Sequence, residues 1–228
     1  PPLVEFAPVA QLNDGSYVGN LTEEKLDQIF AAGGTQAEDW CAELPKPSAP
    51  SARGELLISK KIARPDACSL KDYQREGGYR TAKAVLSGIA PDDVVETVKN
   101  SNLRGLGGAG FTAGMKWTFV PRDATKPKYL VVNADESEPG TFKDKYILVR
   151  APHLLIEGML IASYAIGIHK AYIYIRKEYG FPYRRLQEAV DEVYAEGYLG
   201  KNIFGTGFDL DVVIHRGAGA YICGEESA

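Results

Sequence analysis

Apolar and polar positions change their rhythm part-way along the chain. Residues 91–101 place Val94, Val95 and Val98 at helical spacing behind Pro91 at a first-turn position, with Asp92 and Asp93 just after it. Residues 80–86 predict a helix ended by Gly88, and residues 22–32 a short one opened by Thr22 and closed by Gly33-Gly34. Beyond residue 128 short β-rich runs appear at 129–132, 171–175 (Ala-Tyr-Ile-Tyr-Ile) and 208–214, with helical patterns at 141–149, 152–166 and 183–195 between them. Strands alternating with helices predict an α/β fold built on a parallel, doubly wound sheet.

This pattern divides the chain into three stretches. Residues 1–51 form a poorly structured amino-terminal segment whose run Pro45-Lys46-Pro47-Ser48-Ala49-Pro50 reads as an extended linker. Residues 52–113, with Leu70 to Tyr73, Gly77-Gly78-Tyr79 and the two helices after them, read as a helical collar leading into a glycine-rich loop. Residues 114–228 carry the Rossmann-like sheet. The longest apolar stretch, 154–168, is broken by Glu157 and is too short to span a bilayer.

Composition adds mostly exclusions. With 45% apolar and 25% charged residues among 228, the chain is an ordinary globular one, and a net charge of −4 with scattered bases leaves no footprint for nucleic acid. Cys41, Cys68 and Cys223 are far apart and form no CxxC pair, which excludes an iron–sulfur or zinc site built from this chain alone and favours a reducing compartment. No secretory signal opens the chain, so a soluble, cytoplasm-facing protein is expected. His153, His169 and His215 are equally scattered and read as structural or solvated.

Three stretches carry chemistry. In Asn102 to Trp117 five glycines (Gly105, Gly107, Gly108, Gly110 and Gly114) stand with Lys116 and the aromatics Phe111 and Trp117. Glycine at this density suits close approach of backbone N–H groups to a phosphate or flat ring rather than packing. Gly105, Gly107 and Gly110 match GxGxxG, but a helix rather than a strand enters the loop, which argues against an ordinary dinucleotide fingerprint. The second stretch, Asn133 to Lys145, follows a strand and holds Asp135, Glu136, Glu138 and Asp144. It reads either as acids capping a helix or as a ligand-facing turn, with Asn133 placed to hydrogen-bond a polar ring edge. The third, Arg216 to Ala228, again puts small residues after a strand, followed by Tyr221, Gly224 and the pair Glu225-Glu226.

Together the three motifs, Gly-Leu-Gly-Gly-Ala-Gly-Phe-Thr-Ala-Gly-Met-Lys-Trp, Asn-Ala-Asp-Glu-Ser-Glu-Pro-Gly-Thr-Phe-Lys-Asp and Gly-Ala-Gly-Ala-Tyr-Ile-Cys-Gly-Glu-Glu, closely resemble the NADH-binding flavoprotein subunit of respiratory complex I. Diaphorase subunits of NAD-reducing hydrogenases and formate dehydrogenases share them. The resemblance runs from about residue 70 to the last residue. It implies FMN in the cleft of a Rossmann-like domain, reduced by hydride from NADH stacked on the flavin. Carried over by position, Gly105, Gly107, Gly108 and Lys116 bind FMN, and Asn133, Asp135, Glu136, Tyr221 and Gly224 complete its surroundings. Phe111 and Phe119 sandwich the adenine of NADH, Glu138 lies near the nicotinamide, and Glu225 and Glu226 border the cleft, with Glu138 and Glu225 as the catalytic pair.

The family comparison also implies what lies around the chain. Members continue with the rest of the flavin domain, a ubiquitin-like domain and a helical bundle carrying a [4Fe–4S] cluster, so the chain reads as an amino-terminal part. Its partners would be a thioredoxin-like [2Fe–2S] subunit and an iron–sulfur subunit, at the inner face of a membrane reached only through other subunits. Leu106 stands where the family often has arginine, and Thr112-Ala113 replaces Pro-Thr. A non-catalytic relative that keeps the scaffold is the competing reading.

Overall fold

The computed structural model describes residues 10–11, 17–18, 22–31, 62, 68–106, 108–121 and 126–221. Near the amino terminus two short strands, β1 (Ala10–Gln11) and β2 (Tyr17–Val18), pair antiparallel, and helix α1 (Glu23–Ala31) occupies the stretch expected from Thr22. The linker at 45–50 lies outside the described residues.

Among the described residues the collar is three helices. In α2 (Leu70–Arg75) the Ser69 hydroxyl accepts from the Asp72 amide and caps the first turn. The chain then reverses through Gly77 and Gly78. A Cβ on Gly78 would lie 2.0 Å from the Tyr73 ring, so glycine is required there by close approach. Tyr79, in the left-handed region at φ 61°, opens α3 (Arg80–Gly88), and Pro91 starts α4 (Pro91–Asn100) with Asp92 and Asp93 in its first turn. After the glycine-rich loop comes α5 (Ala113–Thr118), which the sequence pattern did not reveal.

The second half supplies the sheet. Strand β3 (Leu130–Ala134) leads to helices α6 (Lys143–Arg150) and α7 (Pro152–Ile166), then β4 (Lys170–Ile175), α8 (Gly180–Ala195), β5 (Gly200–Ile203) and β6 (Phe208–Arg216). The strand order is β3-β4-β6-β5. The first three run parallel, as expected, while β5 pairs antiparallel with β6. Alternation sets the faces. Ala171, Ile173 and Ile175 of β4, with Leu210 and Val212 of β6, join the core under α7 and α8, which pack on these strands and on each other. The opposite face carries Val131 and Val213, both exposed, in register with half-buried Tyr172.

α7 is the central helix. It packs against the sheet and α8, and against α3 and α4 of the collar, so Leu70, Tyr73, Tyr79, Val85, Leu86, Val94 and Val95 share one core with the strands. The position between residues 113 and 114, where the sequence reading separates collar and sheet, falls inside α5. Glu157, buried on α7, ties collar to sheet. Its carboxylate accepts from the Tyr73 hydroxyl (2.5 Å) and from the amides of Tyr79 (3.0 Å) and Ala82 (3.1 Å), the last two at the start of α3. Fully buried His153 stands between the Tyr79 hydroxyl (3.2 Å) and the Glu192 carboxylate (3.1 Å), a structural role in keeping with its scatter. Burial pushes the Tyr73 and Tyr79 phenols far above their usual range, with Glu157 adding to the effect in both. Among the described residues no single helix is long and apolar enough to cross a membrane. The pair α6–α7 has the length and composition together but bends by 94°, and α7 is mostly buried.

α5 lies so close to α4 that a Cβ on Gly114 would sit 2.3 Å from the Lys99 backbone. Gly114 therefore serves packing, contrary to the reading of all five loop glycines as ligand-facing. Gly114→Ala is expected to force the two helices apart and destabilise the protein by about 1–3 kcal/mol, which chemical denaturation followed by circular dichroism would read.

Candidate functional site

The glycine-rich loop joins two helices, α4 and α5, and closes at its base like a hairpin. The Ala113 amide donates to the Leu103 carbonyl (2.8 Å), the Gly105 amide to the Phe111 carbonyl (3.1 Å), and Arg104 bridges to Thr112. Inside this closure the loop is open. Gly108 and Gly110 have nothing within 4 Å of where a Cβ would be, Gly110 adopts φ 72°, and the nearest atom to a Cβ on Gly105 is 3.9 Å away. Gly107 lies outside the described residues. The open glycines leave room for a group to approach the backbone, as a phosphate or flat ring requires.

Beside this space stand two cations and two aromatic rings. The Arg104 guanidinium donates to the Gly110 carbonyl (3.4 Å). Lys116, on α5, is exposed, and its ammonium has no hydrogen bond or ion pair among the described residues. Phe111, at the end of the loop, and Phe119, just beyond α5, are 55% and 65% exposed, with ring centroids 6.0 Å apart and tilted by 46°. A flat ring between them needs about 7 Å, twice a carbon–carbon contact distance. At 6.0 Å and 46° the two rings leave no room for a flat ring between them, and one would have to move apart and turn to take it.

The second group sits where β3 ends. Asn133 and Ala134 belong to the strand, which runs two residues beyond the expected 129–132. The Asn133 Oδ1 accepts from the Asp135 amide (3.0 Å), and the Asp135 carboxylate accepts from the Ser137 hydroxyl (2.8 Å). Asn133 is exposed and its amide nitrogen has no partner among the described residues. Glu138, also exposed, accepts from the Tyr221 hydroxyl, a contact that raises the phenol's pKa. This bond joins the β3 turn to the chain leaving β6. Gly224, Glu225 and Glu226 lie outside the described residues.

Glu136 differs from its neighbours. It is buried, and its carboxylate accepts from the Asp144 amide (2.7 Å), the Lys145 amide (3.0 Å) and the Tyr179 hydroxyl (2.8 Å). Both oxygens are thus engaged by the first turn of α6 and the N-cap residue of α8. Of the two readings of the acid-rich turn, helix capping describes Glu136, and the ligand-facing reading is left for Asn133, Asp135 and Glu138. Burial lowers the pKa of the Lys145 ammonium, while the Glu136 carboxylate pulls it the other way. Arg176 and Tyr179, absent from the sequence-based site, hold this turn from behind. The signal for them was their place just after an apolar strand, at the carboxyl edge of a parallel sheet.

The expected site residues therefore fall into two groups. Gly105, Gly108, Phe111, Lys116 and Phe119 form one; Asn133, Asp135, Glu136, Glu138 and Tyr221 form the other. No hydrogen bond, ion pair or ring contact joins them among the described residues. No cluster of potential metal ligands occurs among those residues either.

The model of the Nuo51 FMN-binding domain matches residues 98–228, more than half of the chain. The chain belongs to that family. Among curated relatives, an NADH-quinone oxidoreductase subunit of Rhizobium meliloti (strain 1021) is 55% identical over 174 residues, 76% of this chain and 41% of that protein. The corresponding subunit of Aquifex aeolicus (strain VF5) is 51% identical over 172 residues, covering 75% and 40%. The chain spans about two fifths of the length of these relatives. Among solved structures, an NAD+-reducing [NiFe]-hydrogenase in the H2-reduced state is similar with a TM-score of 0.63 and 31% identity, covering 99% of this chain and 36% of that one. The family resemblance drawn from the three motifs is thereby shown, and so is the α/β class with its largely parallel sheet.

The residues present fit the family's cofactor. An open glycine loop beside a lysine unpaired among the described residues suits a phosphate, and an exposed asparagine at a strand's carboxyl end suits a polar ring edge. Gly108→Ala separates this use from folding. Its Cβ meets no neighbour, so stability is expected to hold within about 0.5 kcal/mol. FMN affinity is expected to fall about ten-fold, ~1.4 kcal/mol, in a fluorescence titration of the purified protein.

Proposed function

We propose that this chain forms the flavin end of an NADH dehydrogenase module, in which FMN accepts hydride from NADH and electrons leave to iron–sulfur clusters of partner domains or subunits. The observation that carries it is the loop of Gly105, Gly108 and Gly110, open to a ligand and flanked by Lys116, unpaired among the described residues, and by the exposed pair Phe111 and Phe119. Membership of the Nuo51 FMN-binding domain family supports the flavin, and relatives named as NADH-quinone oxidoreductase subunits support the nucleotide.

Bound FMN would supply a two-electron acceptor for hydride and a one-electron donor to the next centre. The protein's own groups do the rest. Lys116 and the loop amides hold the flavin phosphate, Asn133 orients the ring edge, and Asp135 and Tyr221 border it. Phe111 and Phe119 stack the adenine. Glu138 and Glu225 flank the nicotinamide, where their charges orient the ring, and Glu226 meets the adenosine ribose. Hydride transfer needs no general acid or base, so these carboxylates position and discriminate. In the assembled complex the module would join a thioredoxin-like [2Fe–2S] subunit and an iron–sulfur subunit, with a [4Fe–4S] cluster held by a carboxyl-terminal bundle. It would lie at the inner face of a membrane through those partners. The likeness to an NAD+-reducing hydrogenase favours a second reading, a diaphorase serving hydrogen rather than quinone.

The visible spectrum of the purified protein tests the proposal. Flavin bands that bleach on addition of NADH are expected, and a colourless protein that takes up no added FMN would overturn it. Lys116→Ala should weaken FMN retention by one to two decades, the worth of a charge-assisted phosphate contact at about 1.5–3 kcal/mol, and flavin content after dialysis would read it. Glu226→Ala should raise NADPH turnover while NADH turnover falls or holds. Removing a carboxylate that repels the 2′-phosphate changes discrimination by roughly 1–3 kcal/mol. Steady-state catalytic efficiencies with both nucleotides at matched salt would show it.

A further inference from the structure

Behind the turn at residues 133–138 lies a set of contacts that the cofactor reading does not use. Arg176 follows β4 directly, and its Nη1 donates to the Glu136 carbonyl (2.5 Å) while its amide donates to the Ala134 carbonyl (3.4 Å). Tyr179, the N-cap residue of α8, is buried and donates its hydroxyl to the Glu136 Oε2 (2.8 Å). The Arg176 guanidinium lies over the Tyr179 ring at 5.2 Å, and the Lys145 ammonium approaches the same ring at 5.7 Å. Arg176 is itself held by Glu178, through Nε at 3.1 Å. Glu136 is thus gripped through its carbonyl and both carboxylate oxygens, by groups from the β4–α8 connection and the start of α6.

Asp135 and Ser137, on either side of Glu136, are half-buried. Asn133 and Glu138 are exposed, and the local bonds from Asp135 to Asn133 and from Ser137 to Asp135 fix the turn only internally. Asn133 is fixed by the β3–β4 pairing, opposite Tyr174, whereas residues 135–138 leave the strand and are tied to the sheet through Glu136 and, at Glu138, through the Tyr221 hydroxyl. A binding edge loses affinity when its supporting contacts leave it even slightly loose. We propose that Arg176 and Tyr179 are positioning residues for the cofactor cleft, acting through Glu136 to hold Asp135 and Glu138 at the carboxyl edge of the sheet, beside the strand residue Asn133. The proposal rests on the flavin reading given above. Neither residue touches the cofactor in it; each sets where the touching residues stand.

The test compares the parent with Tyr179→Phe, Arg176→Met, Glu136→Leu and the double variant Tyr179→Phe/Glu136→Leu. Each is purified as the full protein and titrated with FMN by fluorescence quenching, with the thermal midpoint of the flavin-free protein measured beside it. Tyr179→Phe keeps the ring under Arg176 and removes only the hydroxyl, so the protein is expected to stay folded. FMN Kd should rise about ten-fold in Tyr179→Phe and by at least as much in Arg176→Met, the usual scale for losing a supporting contact. If Tyr179 acts through Glu136, adding Tyr179→Phe to Glu136→Leu, which leaves the hydroxyl no acceptor, changes Kd by less than about two-fold, because the path is already cut. Bound flavin should also shift its visible bands in the single variants, which a general loss of stability would not produce. If Arg176→Met does not fold, Tyr179→Phe and the double variant decide alone. An unchanged Kd in Tyr179→Phe while the parent binds FMN overturns the positioning role only, as do fully additive effects in the double variant. A parent that takes up no FMN overturns both the positioning role and the flavin reading.

Discussion

A buried carboxylate holds the two halves of this chain together. Glu157 sits on a helix otherwise rich in apolar residues, where an unpaired charge would cost several kcal/mol in lost hydration. It is tolerable because three donors converge on it, two of them amides at the start of α3 that have no partner within their own helix. One side chain thereby meets the needs of a helix end, a tyrosine and itself. The collar cannot slide along α7 without stranding all of them. The loop that leaves α4 inherits its position from that arrangement, since α4 packs on the same helix.

The same logic recurs at Glu136, where a second buried carboxylate meets the start of α6 and draws in the β4–α8 connection. The turn that carries Asp135 and Glu138 is therefore backed by a buried glutamate whose carboxylate is engaged within the protein. Hydrogen bonds fix direction where apolar packing alone would fix only distance.

Much of this was legible in the sequence. The alternation of β-rich and helical runs gave the parallel sheet, because β4 reads Ala-Tyr-Ile-Tyr-Ile with its small and branched residues inward, and the valines of α4 marked the helix that enters the glycine loop. Other elements were hidden for physical reasons. β5 carries one apolar side chain, Ile203, in four residues and depends on pairing with β6. α5 is six residues long and includes a glycine, so neither propensity nor periodicity announces it. α8 starts at Gly180, three residues before the expected position, with Pro182 in its first turn. In the site, Asn133 and Glu138 of the turn motif are exposed, as a ligand-facing reading requires. It could not show that Glu136 points the other way, because one-residue alternation through an irregular turn has no fixed period.

The hairpin closure of the glycine loop decides where substitution is tolerated. Leu103 and Ala113 are joined by a backbone bond, and α5 is seated on α4 through Gly114, so the residues between are sealed off from the fold they interrupt. Leu106, 72% exposed, projects from this insulated segment. Substitutions there alter what the loop presents without drawing on the stability of the helices. A side chain at position 106 can therefore be exchanged with little packing to lose, whereas any side chain at 114, just beyond the closure, meets the Lys99 backbone.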